Sequence, residues 1–236
     1  MTQPSSKISI EEAWSKAEAN VGGTVAQDTT SAASSGALAK RAFDVVGALA
    51  LLLMLAPVLL VVAILVRLSG PNVLFAHPRV GQGGRLFPCY KFRTMVPDAQ
   101  LVLERVLAER PDLRAEWERD FKLKDDPRVT RVGKFLRKYS LDELPQFWNV
   151  LRGDMSLVGP RPIVMDELKR YGRHADCYLA ARPGVTGLWQ ISGRSDVDYD
   201  RRIQLDREYM ERRCVAMDLA IVFKTAWVVL MRRGAY

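Results

Sequence analysis

The sequence predicts an α+β chain, mostly helical, built from an apolar N-terminal segment, one small β-hairpin and a series of helices. Three observations predict it. Residues 45–66 run without a charge, long enough in principle to cross a bilayer. A glycine cluster, Gly81-Gln-Gly-Gly84, separates two short stretches of strand character. Beyond Asp98, apolar residues recur at helical spacing, as at Leu103, Val106 and Leu107 and then Leu113, Trp117 and Phe121.

At 236 residues the chain allows one domain of ordinary size with a sizeable core. A net charge of +8 favours an anionic partner: nucleic acid, anionic lipid or a phosphorylated substrate. Cys89, Cys177 and Cys214 show no paired spacing, which argues against a metal knuckle or a disulfide framework and for a reducing compartment. No nucleic-acid motif is present and the basic residues are scattered, so nucleic acid is not expected as a partner.

Residues 1–37 are rich in Ser, Thr, Ala and Gly and read as a disordered tail, with one short helix over 10–19. Residues 38–70 form the membrane segment and 71–236 the remaining domain. Two readings of the apolar run stand. Hydropathy alone gives a simple transmembrane helix. Against it, Pro57 sits mid-run, where it removes a backbone bond and kinks a helix. Lys40 and Arg41 precede the run and Arg67, Arg79 and Arg85 follow it, so charge selects neither end as the outer one. The stretch 43–56 would be about 21 Å long as helix, short of the roughly 30 Å hydrocarbon core. A helix–break–helix that enters and leaves by one face satisfies all of these.

Strands follow at 73–78 and 84–92 around the glycine turn, with Lys91 and Arg93 projecting from one face because they are two apart. Pro111 divides the charged segment 98–122 into two helices. Residues 159–162, Gly-Pro-Arg-Pro, are extended, since proline disfavours helix in the residue before it. Helices are expected at 163–172 and 199–212, with a glycine-bearing loop at 186–194 between them. Residues 214–231 are apolar on most sides but carry Asp218 and Lys224. They fit either a core helix or one lying at the membrane interface with Trp227 at headgroup level.

The most informative stretch is 137–162, where adjacent acids Asp142 and Glu143 are ringed by Arg137, Lys138, Arg152 and Arg161. Ser140-Leu-Asp-Glu143 has capping-box spacing and predicts a helix from Leu141; Pro145 offers a later start at Leu144. Gly153 is a natural stop. Acids at a helix start are commonly caps. Adjacent acids among cations also suit phosphate chemistry, one facing a reacting atom and the other a metal. With only two histidines in the chain, an aspartate near its ordinary pKa of about 4 could act as nucleophile without a base.

The run 126–162, DPRVTRVGKFLRKYSLDELPQFWNVLRGDMSLVGPRP, resembles the signature of the bacterial sugar transferases, the monotopic phosphoglycosyl transferases. Further pieces match in order: KFRTM at 91–95, RPGVTGLWQ at 182–190, SGR at 192–194 and RGAY at 233–236. The likeness covers about residues 38–236. It implies a re-entrant membrane hairpin broken at Pro57 and both termini on the cytoplasmic face of the bacterial inner membrane. It also implies transfer of a sugar-1-phosphate from a UDP-sugar to polyprenol (undecaprenyl) phosphate with release of UMP. By the same resemblance Asp142 is the nucleophile, Glu143 holds Mg²⁺, and Lys91, Arg93, Arg137, Arg161 and Arg194 bind substrate phosphates. The exopolysaccharide-initiating branch is the nearest match, which suggests a hexose, glucose or galactose. A homodimer is compatible with the pattern. The competing reading is a non-catalytic, membrane-anchored basic module that binds anionic lipid or nucleic acid.

Overall fold

A computed structural model of the chain describes residues 32–120, 123–193 and 197–230. The expected tail helix at 10–19 and Arg194 lie outside the described residues. Helix α1 (Ala32–Leu68) is followed by β1 (Leu74–Val80) and β2 (Leu86–Phe92), then α2 (Ala99–Glu109) and α3 (Pro111–Asp120). Next come α4 (Arg131–Lys138), α5 (Gln146–Arg152), β3 (Ser156–Val158), α6 (Met165–Tyr171) and α7 (Ala175–Leu179). The described chain ends with β4 (Gly184–Thr186), α8 (Tyr199–Arg212) and α9 (Val215–Leu230). The fold is mostly helical, as the sequence implies.

Helix α1 differs from the expected helix–break–helix. It runs through Pro57 as one helix, and within it 36–68 is long and apolar enough to cross a membrane. Proline costs a helix one hydrogen bond and a carbonyl clash but is compatible with continuation as a kink. A narrow stripe of α1 is buried, at Asp44, Ala48, Val62 and Val66, while Leu53, Met54, Leu60 and Val61 are exposed. Ala48 joins the main core with Phe87, Cys89, Val150, Met155 and Leu157. Val62 and Val66 join a second cluster with Phe92 and Leu136. Both ends of the helix therefore rest on the same domain.

Polar contacts fix those ends. Lys40 Nζ lies 2.9 Å from Asp44 Oδ1 and 2.8 Å from Asp218 Oδ2 on α9. Asp44 Oδ1 also accepts from Ser156 Oγ and the Leu157 amide, each at 3.0 Å. Tyr209 Oη donates to Asp218 Oδ1 at 2.8 Å. Arg41 donates to the carbonyls of Val150 and Leu151 at the end of α5. At the other end Arg93 Nη2 reaches the Val66 carbonyl at 2.9 Å.

The hairpin matches the sequence reading: β1 and β2 pair antiparallel from Leu74↔Phe92 to Val80↔Leu86, turning at 81–85. Pro111 opens α3, so the charged segment is two helices as expected. A parallel β3–β4 pair, Ser156↔Gly184 and Val158↔Thr186, was not legible, because three-residue strands show no alternation. Gly184 permits it: a Cβ there would collide with the Gly159 backbone. Helix α9 buries Ile221 and Asp218 on one side, as a core helix does, and exposes Phe223 and Trp227 on the other.

Replacing Lys40 with Met leaves Asp44 and Asp218, both about 1% exposed, without their cation. Removing one partner of a buried ionic cluster costs about 3–5 kcal/mol. Thermal unfolding in detergent should show a drop in Tm of several degrees for Lys40→Met, whereas Lys138→Met on the α4 surface should leave Tm unchanged.

Candidate active site

Asp142 and Glu143 lie in a single 3₁₀ turn, Leu141–Glu143, and not in the first turn of an α-helix. Ser140 does not cap it. Its backbone is left-handed, φ 55°, and its side chain makes no capping bond. Among the described residues it is the one non-glycine with positive φ, a strained conformation immediately before the acids. Helix α5 starts only at Gln146, behind Pro145, and ends at Gly153 as expected. Asn149 ties it to β2, accepting from the Tyr90 amide at 3.0 Å and donating to the Pro88 carbonyl at 2.7 Å.

The two acids have different surroundings. Asp142 is 8% exposed, and no side chain among the described residues hydrogen-bonds its carboxylate. Glu143 keeps 40% of its side chain exposed and takes Lys91 Nζ on Oε1 at 2.6 Å. Burial, then the charge of Glu143, raises the Asp142 pKa above its ordinary value, against the pull of Lys91 and Arg137. Although its side chain is partly open to water, the desolvation that Glu143 does feel works against its ionisation. There the charge and hydrogen bond of Lys91, with Arg161 and Arg79, outweigh it and hold the pKa below the ordinary value.

The cations whose charges act on this pair come from separate elements. Lys91 comes from β2. Arg137 comes from α4, its Nε donating to Thr94 Oγ1 at 3.0 Å. Helix α4 lies close enough for this because Gly133 has no Cβ to strike the Thr94 carbonyl. Arg161 follows β3 in the extended 159–162 segment and rests on the Trp189 ring, 5.1 Å from its centroid. Arg202, from α8, lies 5.0 Å from the same ring.

Arg93 is the expected site residue that the structure sends elsewhere. It is buried, and its guanidinium bonds the carbonyls of Asn72, Met95 and Val66 and the Ser69 hydroxyl. Being two residues from Lys91 puts it on the same face of an extended strand, but β2 ends at Phe92 and Arg93 turns into the junction with α1. Pro57 is exposed within α1.

Sequence reasoning missed Arg79, Arg202 and Asp206. Arg79 Nη1 lies 3.5 Å from Glu167 Oε2, and its charge acts on Glu143. Asp206 occupies a buried position on α8 between Ile203 and Tyr209, a helical stripe in which a carboxylate is out of place. That mismatch was visible in the sequence. Tyr171 Oη donates to Asp206 Oδ2 at 2.8 Å.

Among the described residues no cluster of three or more His, Cys, Asp or Glu side chains is arranged to hold a metal. The acid pair still fits Mg²⁺ chemically. That ion takes one or two carboxylates together with phosphate oxygens and water, and the Glu143 oxygen not bonded to Lys91 can serve.

Residues 35–232 match the family model described as bacterial sugar transferase. The chain belongs to the bacterial sugar transferase family. It is 57% identical over 197 residues to the undecaprenyl-phosphate galactose phosphotransferase of Salmonella typhimurium, covering 84% of this chain and 41% of that protein. It is 47% identical over 213 residues to the exopolysaccharide production protein ExoY of Sinorhizobium fredii, covering 90% of this chain and 94% of ExoY. It is 38% identical over 208 residues to the UDP-glucose:undecaprenyl-phosphate glucose-1-phosphate transferase of Escherichia coli, covering 84% and 42%. The chain thus spans about two fifths of the length of the Salmonella and Escherichia proteins and nearly all of ExoY. In this sugar transferase the acid pair, Lys91, Arg137 and Arg161 all fall inside the matched region.

Asp206 also gives the fold a pH dependence. Burial raises its pKa from 3.8 to about 7, although the Tyr171 hydroxyl favours the charged form. Between those values the folded chain holds a proton that the unfolded chain has lost. This group's contribution to stability is full below pH 3.8 and is lost as pH rises to about 7. Asp206→Asn keeps the shape without the ionisation. Melting curves from pH 5 to 8 should show a shallower decline for the variant than for the wild type.

Proposed function

We propose that this protein transfers a hexose-1-phosphate from a UDP-sugar to undecaprenyl phosphate, releasing UMP, with Asp142 as the covalent nucleophile. The observation that carries the reading is the divided acid pair. Asp142 is buried without a side-chain partner, while Glu143 beside it is gripped by Lys91 in a field of arginines. A carboxylate that serves as nucleophile needs an unengaged oxygen and cations that hold the incoming phosphate, and this pair offers both. The names of the Salmonella and Escherichia relatives support the sugar phosphate and the lipid acceptor, and the Salmonella protein favours galactose.

In this mechanism an Asp142 oxygen attacks the phosphorus that bears the sugar. The bond from that phosphorus to the bridging oxygen breaks, and UMP leaves with the bond's electrons. An oxygen of undecaprenyl phosphate then attacks the same phosphorus and the Asp142 carboxylate departs. Lys91 and Arg137 draw the attacked phosphate toward Asp142 and offset its charge. Arg161 stands on the Glu143 side, and Arg194 remains a candidate for the nucleotide. Mg²⁺, held through Glu143, would neutralise diphosphate charge that otherwise repels the nucleophile. Arg93 enters no step, since its donors are engaged at the α1 junction.

The proposal also places α1 as a re-entrant anchor, with both termini on the cytoplasmic face. A straight span would set its ends on opposite sides of the bilayer. Arg41 and Val66 instead bond to one folded domain, at α5 and at Arg93. A single domain cannot occupy both sides, so these contacts favour entry and exit by the same face. The exposed middle of α1 would then lie in lipid beside Phe223 and Trp227.

The deciding experiment supplies UDP-galactose or UDP-glucose and Mg²⁺ without the lipid acceptor. One UMP per active site should appear, with a hexose phosphate on Asp142 seen by intact-protein mass spectrometry after acid quench. Asp142→Asn should abolish both. UMP release only after lipid is added would indicate direct attack by the lipid phosphate, and no release under any condition would leave a binding module. The rate of the burst should fall on acidification with a midpoint above the ordinary aspartate value of about 4, because the Asp142 pKa is raised and the protonated acid is no nucleophile.

A further inference from the structure

We propose that Trp189 is a positioning residue for Arg161: its indole face holds the guanidinium in a fixed pose and leaves the hydrogen-bond donors free for substrate. The inference rests on the function proposed above, in which Arg161 binds a substrate phosphate. It gives a task to Trp189, which lies in a matched motif without one.

The backbone around Arg161 is fixed first. Pro160 and Pro162 flank it, and each restricts the residue before it. The Pro160 carbonyl accepts from the Gly184 amide at 2.7 Å, and the Gly159 amide donates to the Thr186 carbonyl at 2.9 Å. These bonds carry the pairing of β3 and β4 to the edge of the 159–162 segment. The two chains run so close that a Cβ on Gly187 would strike the Gly159 carbonyl. Two residues beyond Gly187, the Trp189 ring meets the Arg161 guanidinium, 5.1 Å from centroid to Cζ.

The surroundings of Trp189 are not those of an ordinary core tryptophan. It is 6% exposed, yet it joins none of the apolar clusters formed by the described residues. Its neighbours Leu188 and Ile191 do pack on the main core. Nor is the indole N–H used, because Nε1 is buried with no acceptor among the described residues. A buried tryptophan usually finds one. What this position does use is the π face, and tryptophan offers a cation the best face of any side chain.

Arg93 shows the other way to fix an arginine. Its guanidinium is held by three carbonyls and a hydroxyl, and those bonds consume its donors. Arg161 has no side-chain hydrogen bond among the described residues and is held by the ring. Stacking restrains the plane of a guanidinium without occupying the forked N–H groups that match a phosphate. An arginine restrained in advance also loses less freedom when ligand arrives.

The competing explanation is that Trp189 only docks the 186–190 loop on α8. Arg202 of that helix lies 5.0 Å from the same ring centroid, with its Nε donating to the Val197 carbonyl at 2.9 Å. A ring that serves Arg202 alone would act whether or not Arg161 is present. A cycle with Arg161 therefore separates the two explanations.

The experiment measures the KM for UDP-sugar in full-length protein. Wild-type protein must release UMP; no release defeats the underlying reaction and this inference with it. Arg161→Met should raise KM by about tenfold or more, the scale of a lost charged hydrogen bond. A wild-type KM there removes Arg161 from the substrate site and overturns the proposal at its base. Trp189→Leu should raise KM by about threefold to tenfold, the scale of a lost cation–π contact, and should add nothing in the Arg161→Met background. Equal effects in both backgrounds assign Trp189 to the fold and overturn its positioning role. If Trp189→Leu does not fold, tryptophans carrying successively more fluorine atoms, inserted at position 189 alone, keep the shape and weaken the π face. KM must then climb stepwise with fluorine number in wild-type background and stay flat in Arg161→Met. A flat series in the wild-type background, with Arg161→Met impaired, overturns the role of Trp189 alone.

Discussion

The arrangement depends on one ammonium shared by two buried carboxylates. Lys40 serves Asp44 on its own helix and Asp218 on α9, and the charge left over is met by the Ser156 and Tyr209 hydroxyls and the Leu157 amide. The Lys-before-Asp order at i,i+4 is the less favourable one for an isolated helix, so the cluster's value is tertiary. Along its length α1 is bonded to three segments that adjoin site residues. Asp44 holds β3, which leads into Arg161. Arg41 holds the end of α5, which begins just after the acid pair. Arg93 joins the far end of α1 to the strand that carries Lys91. Helix α1 is therefore part of the scaffold of the site, and its orientation and that of the acids are fixed together.

That coupling accounts for residues whose position in the sequence suggested a different task. Arg93 sits in a basic motif beside Lys91 and was expected to touch substrate. Its bonds to three carbonyls and a hydroxyl make it a clamp between α1 and the hairpin. A buried guanidinium satisfied in this way is costly to remove, because the carbonyls it serves would be left unpaired. Sequence alone cannot separate such a clamp from a phosphate ligand, since both call for an arginine held in a fixed pose.

The hairpin, the two helices divided at Pro111, α6, α8 and the apolar helix were legible because each has a clear period or a proline or glycine boundary. The acid pair was legible from its motif. Its local structure was not: the Ser140–Glu143 spacing of a capping box belongs here to a 3₁₀ turn with Ser140 left-handed. Spacing records which residues could bond and carries no backbone angle. Helix α4 was hidden by Gly133, a poor helix former kept for its close approach to Thr94. Arg79 was hidden for another reason. It owes its place to strand register, which sets it on the same hairpin face as Lys91 only once the hairpin is folded.

Two ion pairs near the site show why one can exchange partners and the other cannot. Asp126 and Arg128 are each about 10% exposed or less at the side chain, bonded two-fold, with Arg128 stacked 5.0 Å from the Trp117 ring centroid. Opening that pair would strand a buried charge, at a cost of several kcal/mol. Its neighbours use the rigidity: the amide of Val96 bonds the Arg128 carbonyl and that of Thr130 bonds the Thr94 carbonyl, which sets α4 and with it Arg137. Lys91 and Glu143 are 31% and 40% exposed. A pair so open to water contributes no more than about 1 kcal/mol. A substrate phosphate can therefore take Lys91, and a divalent cation Glu143, without a large penalty. The fixed pair holds the frame while the exposed one can yield to ligand, so the contact between Lys91 and Glu143 is compatible with the separate roles proposed for them.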